Sequence, residues 1–337
     1  MPEDVRSPIK TGRCLILMLV KENGMKNKVV FIAGPTAGGK SGLALWLAER
    51  AQGTVINADS MQVYRELRVI TARPSEDDEA RVPHRLYGYR PAAEPFSAAD
   101  WAGDARRAIT GALTENRLPI VVGGTGLYLR TLLYGIATVP EIPASVRDQV
   151  RHLVRDEGAE TSHRLLAQED PDMAARLPAT DGQRIARALE VVRATGRSLL
   201  RWQEDAHGTG LDADETLDLV RTVLLLPREQ VYARADARLV SMIEDEGALE
   251  EIRALDAMAL DPALPAMKIL GVPEFRSYIR GEIRKSEALT LAQTATRQFA
   301  KRQYTWFRNQ FSDWIQGDKQ YLERFFEKNV SLLDNQG

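Results

Sequence analysis

The sequence has almost no cysteine, little net charge and no internal repeats or low-complexity tracts. Cys14 is the only cysteine in 337 residues. This excludes an intramolecular disulfide framework and a cysteine-ligated zinc site, and it indicates a reducing, cytoplasmic environment. The net charge of −2 provides no overall attraction to nucleic acid, so any such binding must come from local basic patches. The length predicts one large domain with an insertion, or two domains.

One apolar run near the start, residues 14–20, resembles a targeting signal because it follows Lys10 and Arg13. The run is too short to span a bilayer and no small-residue cleavage site follows it, so we expect no membrane association. Met25 stands just before the first predicted strand. We interpret residues 1–24 as a dispensable N-terminal extension with an upstream start, and a buried extra strand is the lesser alternative.

A glycine-rich motif carries the strongest functional signal. It consists of Gly34, Pro35, Thr36, Ala37, Gly38, Gly39, Lys40 and Ser41. The apolar run 29–33 before it predicts a strand, and residues 42–50 after it predict a helix. This spacing turns a strand into a helix whose first N–H groups face an anion. Lys40 would reach the outer phosphate oxygens, and the Ser41 hydroxyl would hold Mg²⁺.

The motif is typical of nucleotide- and ATP-binding proteins, but it indicates only a polyphosphate and not what is attached to it. A chance match in a glycine-rich turn is the alternative. The strand and helix patterns on either side argue against chance.

Two other predicted strands end in polar residues. Residues 54–58 precede Asp59 and Ser60, and residues 119–122 precede a second glycine-rich turn that contains Thr125. In a parallel α/β sheet, ligands bind at the carboxyl ends of the strands, so Asp59 and Thr125 would lie near the phosphate loop. Alternatively, Asp59 or Ser60 caps a helix that starts at Met61.

The chain changes character at about residue 139, where an arginine-rich helical stretch begins; it ends in a polar linker. We predict an α/β core of residues 25–138 and 216–337, including C-terminal helices, with a helical insertion at 139–215. Arg184 and Arg187 lie one helical turn apart, and Arg193, Arg197 and Arg201 follow at intervals of four. This spacing fits either a phosphate-binding ridge or a solvated helix face.

Basic and aromatic residues alternate in the segment 297–308. The basic ones include Lys301, Arg302 and Arg308, and the aromatic ones are Phe299, Tyr304, Trp306 and Phe307. Helical spacing would bury Phe299, Tyr304 (or Gln303) and Trp306 in a core. The same mixture also suits a nucleic-acid strand, with stacked bases and neutralised phosphates.

Taken together, these segments resemble the tRNA dimethylallyltransferase (tRNA isopentenyltransferase) family. The resemblance lies in residues 34–41, 57–64, 71–74, 96–100, 122–128, 183–190 and 300–308, which occur in the family's order. It implies a P-loop-type parallel-sheet core with an inserted helical domain. It also implies transfer of a dimethylallyl group from dimethylallyl diphosphate to the exocyclic amine of the adenosine immediately 3′ of the anticodon.

The resemblance also implies roles for individual residues. Asp59 would be the general base, Thr125 a contact to the adenine, and Lys40 the third catalytic residue. Residues implied to meet the tRNA anticodon stem-loop are Asp59, Ser60, Met61, Gln62, Thr125, Arg147, Gln183, Arg184, Ile185, Ala186, Arg187, Arg297, Lys301, Arg302 and Tyr304. Arg147 could instead contact the diphosphate. We expect a monomer with Mg²⁺ as its cofactor.

The chain departs from the family pattern at four places: Ala37–Gly38, Ile70, 83–87 and Gly271–Val272. The first keeps a turn-permitting glycine, and the others affect local contacts. Two other functional classes remain open. One is a P-loop ATP-dependent small-molecule kinase, in which Asp59 would hold magnesium or activate a hydroxyl. The other is a nucleic-acid-binding module that uses a nucleotide as a structural ligand.

Overall fold

A parallel β-sheet forms the core of the fold. The computed structural model describes residues 27–205 and 209–330, so the predicted extension 1–24 lies outside the described residues. The strands are β1 Asn27–Ala33, β2 Gly53–Asn57, β3 His84–Arg85, β4 Leu118–Gly123, β5 Leu217–Leu224 and β6 Ile315–Gly317. All neighbouring strands are parallel, in the order β3-β2-β4-β1-β5-β6. The predicted α/β class with a parallel sheet is confirmed.

Helices account for most of the remaining chain. They are α1 Lys40–Arg50, α2 Glu76–Arg81, α3 Ala98–Thr114, α4 Gly126–Tyr134, α5 Ala144–Glu169, α6 Pro171–Ala174, α7 Gly182–Thr195, α8 Leu199–Asp205, α9 Arg228–Glu244, α10 Ala248–Ala257, α11 Val272–Ile279, α12 Lys285–Gln310 and α13 Lys319–Val330. No helix in the described part of the chain is long and apolar enough to cross a membrane.

The central strands are buried on both faces, as their continuous apolar sequences predict. Residues 29–33 of β1 are at most 2% exposed, and α1 packs Leu43 and Leu47 into the core beside them. The register sets Ala33 of β1 opposite Gly123 of β4, and it sets Asn57 of β2 opposite Val122. The three segments that follow β1, β2 and β4 therefore leave the sheet at the same edge.

The chain divides into two compact units. One contains the sheet and spans the residues up to Leu129 and from Asp214 onward; the other is helical and spans Arg130–Ala213. The helical unit has its own apolar core, which includes Val150, Leu166, Ile185 and Leu189. The sequence predicts an insertion at residues 139–215, whereas the compact unit begins at Arg130 and ends at Ala213.

The helix from Met61, which the alternative interpretation of Asp59 requires, does not form. Residues 60–66 make turns, with an isolated bridge from Tyr64 to Arg90. Backbone bonds from Gly88 N to Gln62 O and from Arg90 N to Val63 O, both 2.9 Å, hold the segment against a neighbouring chain segment. These carbonyl oxygens accept hydrogen bonds from residues that are distant in the sequence. They therefore do not form the i to i+4 hydrogen bonds of an α-helix. The alternative in which Asp59 or Ser60 caps a helix is therefore wrong.

Candidate active site

A cavity of about 390 Å³ lies at the carboxyl edge of the sheet, within the sheet-containing unit. The turn between β1 and α1 forms its floor. Asp59 and Met61 from the end of β2, the segment 70–72, and the helices α9 and α12 complete its wall. The predicted phosphate loop and the predicted general base thus line one space, as the strand order requires.

The glycines of the phosphate loop have steric reasons to be there. Gly34 has a φ of 149°, and a Cβ at this position would lie 2.4 Å from the carbonyl oxygen of Leu224. Gly39 has a φ of 90° and begins α1 with no side-chain cap. The first N–H groups of a helix have no acceptor within the helix. Those of α1 therefore stand at the cavity floor, in an arrangement suited to an anion.

Lys40 is the cation of this loop, and it is partly buried. Its Nζ donates a hydrogen bond to the Pro35 carbonyl oxygen at 2.8 Å. Burial lowers the pKa of Lys40 to about 8; Asp59 opposes the shift and Arg238 adds to it. The Lys40 ammonium has only a neutral acceptor within hydrogen-bond distance among the described residues. An anionic ligand in the cavity would therefore stabilise its charged form.

Asp59 is held rigidly in a side-chain-stabilised turn. The buried Asn57 accepts from Asp59 N at 2.8 Å and donates from Nδ2 to Asp59 O at 3.0 Å. Asp59 Oδ1 accepts from Met61 N at 2.9 Å. Burial raises the pKa of the Asp59 carboxyl, although the Met61 N–H, Lys40 and Arg238 each favour its ionised form. A carboxylate with a raised pKa is a better proton acceptor than a solvated one.

Thr125 is positioned against the same turn. Its Oγ1 accepts from Ser60 N at 2.9 Å and lies 3.1 Å from Ser60 Oγ, to which it donates. At Gly123 a Cβ would lie 2.0 Å from the carbonyl oxygen of Ala58, so only glycine permits β4 to end this close to β2. The structure brings Thr125 and Ser60 together beside Asp59, as the two strand ends predict.

Gln62 supports the cavity wall. Its Nε2 donates to the carbonyl oxygens of Thr71 and Ala72 at 2.9 and 2.8 Å. On the outer side of this segment, Glu251 accepts from the N–H groups of residues 68–70 at 2.8–3.1 Å. The Gln62 amide donors are thus occupied by the protein itself. This residue shapes the cavity in the structure, and its implied tRNA contact stays a prediction.

The helical unit presents only part of its implied tRNA-binding set at its surface. Gln183, Arg184 and Arg187 are exposed on α7. Ile185 is fully buried and Ala186 is 9% exposed in the unit's own core. Because helical periodicity turns these two side chains inward, we correct their assignment as tRNA contacts.

The basic residues of the helical unit have local partners. Arg184 lies 3.4 Å from Asp181, and Arg187 lies 3.4 Å from the buried Glu190. The implied residue Arg147 donates from Nη2 to the Ile142 carbonyl oxygen at 3.4 Å. The ridge residues Arg193, Arg197 and Arg201 pair with Glu169, Asp205 and Glu204. The ridge is therefore largely neutralised by the fold, which favours the solvated-face interpretation for those three.

The helix α12 buries some of its aromatic residues and exposes most of its basic ones, with Trp306 and Phe299 beside Lys301 and Arg302. Lys301 and Arg302 are exposed, and within the described residues neither forms an ion pair. Tyr304 is only 6% exposed, and its hydroxyl donates to the Leu226 carbonyl oxygen. Its ring belongs to an internal cluster, so we correct its assignment as a tRNA contact. Phe307 is buried, whereas Phe299 and Trp306 are only partly buried.

Arg297 also bonds internally. Its Nη1 lies 2.7 Å from Asp236 Oδ2 on α9, and its Nη2 donates to Thr294 Oγ1 at 3.0 Å. This pair ties α9 to α12 across the cavity wall.

Two site residues are absent from the sequence-based set. Arg238 of α9 donates from Nη2 to Thr36 Oγ1 at 3.1 Å and lines the cavity. Burial lowers its pKa, which Asp59 opposes. Gln303 of α12 accepts from Thr36 N at 2.8 Å. A polar residue in the buried stripe of α12 is a signal that could have identified Gln303. Arg238 has no comparable signal, because its role depends on where α9 packs.

Comparison with known proteins gives consistent results. The family model described as IPP transferase matches residues 62–310, and one described as isopentenyl transferase matches residues 27–91. A tRNA dimethylallyltransferase of Nitrobacter hamburgensis is 55% identical over 285 residues, which cover 84% of this chain and 88% of that relative.

Two solved structures are similar to the chain as well. One is a tRNA isopentenylpyrophosphate transferase of Bacillus halodurans, with 30% identity and a TM-score of 0.64 over 92% of this chain and 99% of that one. The other is a eukaryotic dimethylallyltransferase, described as acting on tRNA, with 26% identity and a TM-score of 0.72 over 89% of this chain and 76% of that one.

Proposed function

The chain belongs to the IPP transferase family, that of the tRNA dimethylallyltransferases, and we propose that it prenylates tRNA by the reaction that its cavity can perform. In this reaction a dimethylallyl group moves from dimethylallyl diphosphate to the exocyclic amine of the adenosine immediately 3′ of the anticodon, and diphosphate leaves. The observation that carries the proposal is one cavity lined by both Lys40 and Asp59.

Lys40 suits the leaving group of this displacement reaction, and Asp59 suits the attacking amine. The amine nitrogen forms a bond to the primary allylic carbon while the bond from that carbon to the diphosphate oxygen breaks. The electron pair leaves with the diphosphate, where Lys40, Arg238 and the first N–H groups of α1 stabilise the negative charge. The amine proton passes to Asp59, whose pKa is raised by burial.

The rest of the cavity wall suits the transferred group and the base. Leu239, Met242, Leu270 and Phe299 line the cavity together with the loop. These side chains offer apolar surface for a five-carbon chain and exclude water from a carbon that carries developing positive charge. Thr125 fixes the turn that carries Asp59 and would contact the adenine. A loop adenine would be extruded from its stack to reach this depth.

Mg²⁺ is compatible with the residues of the loop. Within the described residues, no group of three His, Cys, Asp or Glu side chains could hold a metal ion. Mg²⁺ usually keeps several waters and takes further oxygens from a phosphate ligand, so it needs few protein ligands. The Ser41 hydroxyl at the cavity floor would be that ligand. When bound, the ion would neutralise charge on the departing diphosphate.

For tRNA binding we propose the exposed basic residues of each unit. In the sheet-containing unit these are Lys301 and Arg302 on α12. In the helical unit they are Arg184 and Arg187, together with Gln183, on α7. With a net charge of only −2, these local patches would supply the phosphate contacts that orient the stem-loop.

The test is to incubate the protein with tRNA and either dimethylallyl diphosphate labelled in its allyl group or ATP labelled in its γ-phosphate. The proposal expects the allyl label to enter tRNA without ATP, and no phosphoryl label to enter tRNA or a small alcohol. Phosphoryl transfer without prenyl transfer would instead establish the kinase alternative. Binding of tRNA with neither transfer would support the binding-module alternative.

A further inference from the structure

One buried amide joins the two glycine-rich loops of the site. Gln303 Oε1 accepts from Thr36 N in the phosphate loop at 2.8 Å. Its Nε2 donates to the carbonyl oxygen of Gly124, in the loop that carries Thr125, at 2.9 Å. The side chain is 5% exposed. Because both amide atoms are used and little water can reach them, the bridge fixes the separation of the two loops.

The surroundings are built for this bridge. At Gly124 a Cβ would lie 2.3 Å from the Gln303 Nε2, so the close approach of the amide requires glycine there. On the same helix, Ala300, Tyr304 and Phe307 are buried. A leucine or methionine would continue that apolar stripe but would leave the Thr36 N–H and the Gly124 carbonyl without partners, which is costly when they are buried.

The helix α12, which carries Gln303, also presents basic residues to solvent. Arg302 and Lys301, one and two residues before Gln303 on α12, are exposed. At the inner end, Thr36 has its N–H held by Gln303 and its hydroxyl held by Arg238. A shift of α12 would therefore move the phosphate loop directly, since no flexible segment separates them.

We infer that Gln303 is a positioning residue that couples tRNA binding on α12 to diphosphate binding in the phosphate loop, through its bonds to Thr36 and Gly124. This inference rests on the proposed function. It requires that an anticodon stem-loop raise the affinity of the protein for inorganic diphosphate, and that this increase depend on the amide. Such coupling is reciprocal, so diphosphate must raise stem-loop affinity by the same factor.

The experiment measures the Kd of inorganic diphosphate with Mg²⁺ by calorimetry, with and without saturating stem-loop. The parent is compared with Gln303→Glu, which replaces the donor to Gly124 by an acceptor, and with Gln303→Met, which removes both bonds without adding charge. Gln320→Glu is the control for the added charge, because Gln320 is an exposed glutamine on a different helix, α13. Thermal unfolding of each variant monitors the fold.

In the parent, stem-loop should tighten diphosphate binding about fivefold or more, within the usual range of coupling between sites. Both Gln303 variants should reduce that factor to near one and weaken diphosphate binding about tenfold, as expected when a buried group loses a hydrogen bond, whereas Gln320→Glu keeps the parent's factor. For Gln303→Glu the loss should diminish relative to the parent at acid pH, because a protonated carboxyl again offers one donor and one acceptor. A merely structural role would lower the Tm of Gln303→Glu and leave the coupling factor unchanged.

Equal coupling in the parent and in Gln303→Glu would overturn the inference, as would a parent with no coupling at all. If Gln303→Met does not fold, the acid rescue of Gln303→Glu decides the question. Prenyl transfer by the parent is assayed in parallel. Absence of that transfer would count against the proposed function, whereas transfer with unchanged coupling in Gln303→Glu would count only against the role of Gln303.

Discussion

Replacing Asp59 with asparagine separates the chemical role of this residue from its structural role. The asparagine Oδ1 can still accept the Met61 N–H that Asp59 accepts at 2.9 Å, and the buried Asn57 still holds the backbone on either side. Shape and turn are therefore kept, and only the ability to take a proton is lost. We expect single-turnover prenyl transfer to fall by a factor on the order of a hundred or more.

Asp59→Asn should lose activity but not stability. Burial raises the pKa of Asp59, and this outweighs the opposing effects of Lys40 and Arg238. A carboxyl whose pKa is higher in the folded than in the unfolded chain costs stability at any pH above its unfolded-state pKa. A neutral isostere removes that cost. Asp59→Asn should therefore be at least as stable as the parent, and each kcal/mol gained would raise the Tm by about 2 °C.

The assay measures single-turnover transfer to an anticodon stem-loop over a range of pH, with thermal unfolding alongside. The parent rate should rise as pH increases through the raised pKa of Asp59, and this acid limb should be absent from Asp59→Asn. Affinity for dimethylallyl diphosphate should change much less than turnover, since the proton moves only in the transition state. A rate within a few-fold of the parent at unchanged stability would refute the base assignment and leave water or a diphosphate oxygen as the acceptor.

Three further predictions concern the charges of the site. Lys40→Ala should abolish transfer and leave the fold intact, because among the residues that the structure describes Lys40 Nζ bonds only a neutral carbonyl oxygen. The kcat/KM of the parent for dimethylallyl diphosphate should decline above about pH 8, where the free protein loses the Lys40 proton. The double changes Arg184→Ala with Arg187→Ala, or Lys301→Ala with Arg302→Ala, should weaken tRNA binding. They should also reduce the slope of log affinity against log salt by about one for each phosphate that the protein no longer neutralises.

A specific result would contradict each of these three predictions. Near-normal turnover by a folded Lys40→Ala protein would refute the diphosphate assignment, and an alkaline limb that persists in that variant would not belong to Lys40. Arg193→Ala with Arg197→Ala is the control for the salt slope, because these two arginines lie 2.7 Å from their carboxylate partners, whereas Arg184 and Arg187 lie 3.4 Å from theirs. If all three double variants keep the parent slope, the exposed arginines and lysines are a solvated face.

The sequence was sufficient to predict the floor of the site. Each of its parts lies within a short stretch whose spacing has a local cause: a glycine turn between a strand and a helix for Lys40, and parallel strand ends for Asp59 and Thr125. The parallel sheet follows from the same alternation of apolar runs and helical patterns. These features depend on neighbours within a few residues, so they can be recognised without knowing the tertiary packing.

The cavity wall depended on packing and was not predictable in the same way. Residues 61–66 have helix-compatible sequence but pair with the segment around Arg90. Arg238 meets Thr36 over a separation of 202 residues, and only the packing of α9 on the sheet decides that contact. The family resemblance placed whole motifs on the tRNA, yet within those motifs Ile185 and Tyr304 are buried. A motif identifies a helix that matters but does not say which of its faces is exposed.

The proposed reaction is tested decisively by identifying the modified nucleoside. An anticodon stem-loop with adenosine 3′ of the anticodon is incubated with the protein, dimethylallyl diphosphate and Mg²⁺, then digested and analysed by mass spectrometry beside a stem-loop with guanosine at that position. We expect one dimethylallyl group on the exocyclic amine of that adenosine, no modification of the guanosine stem-loop, and one diphosphate released per transfer. A prenyl group at any other position, or no product from a folded protein that binds both substrates, would contradict the proposed reaction.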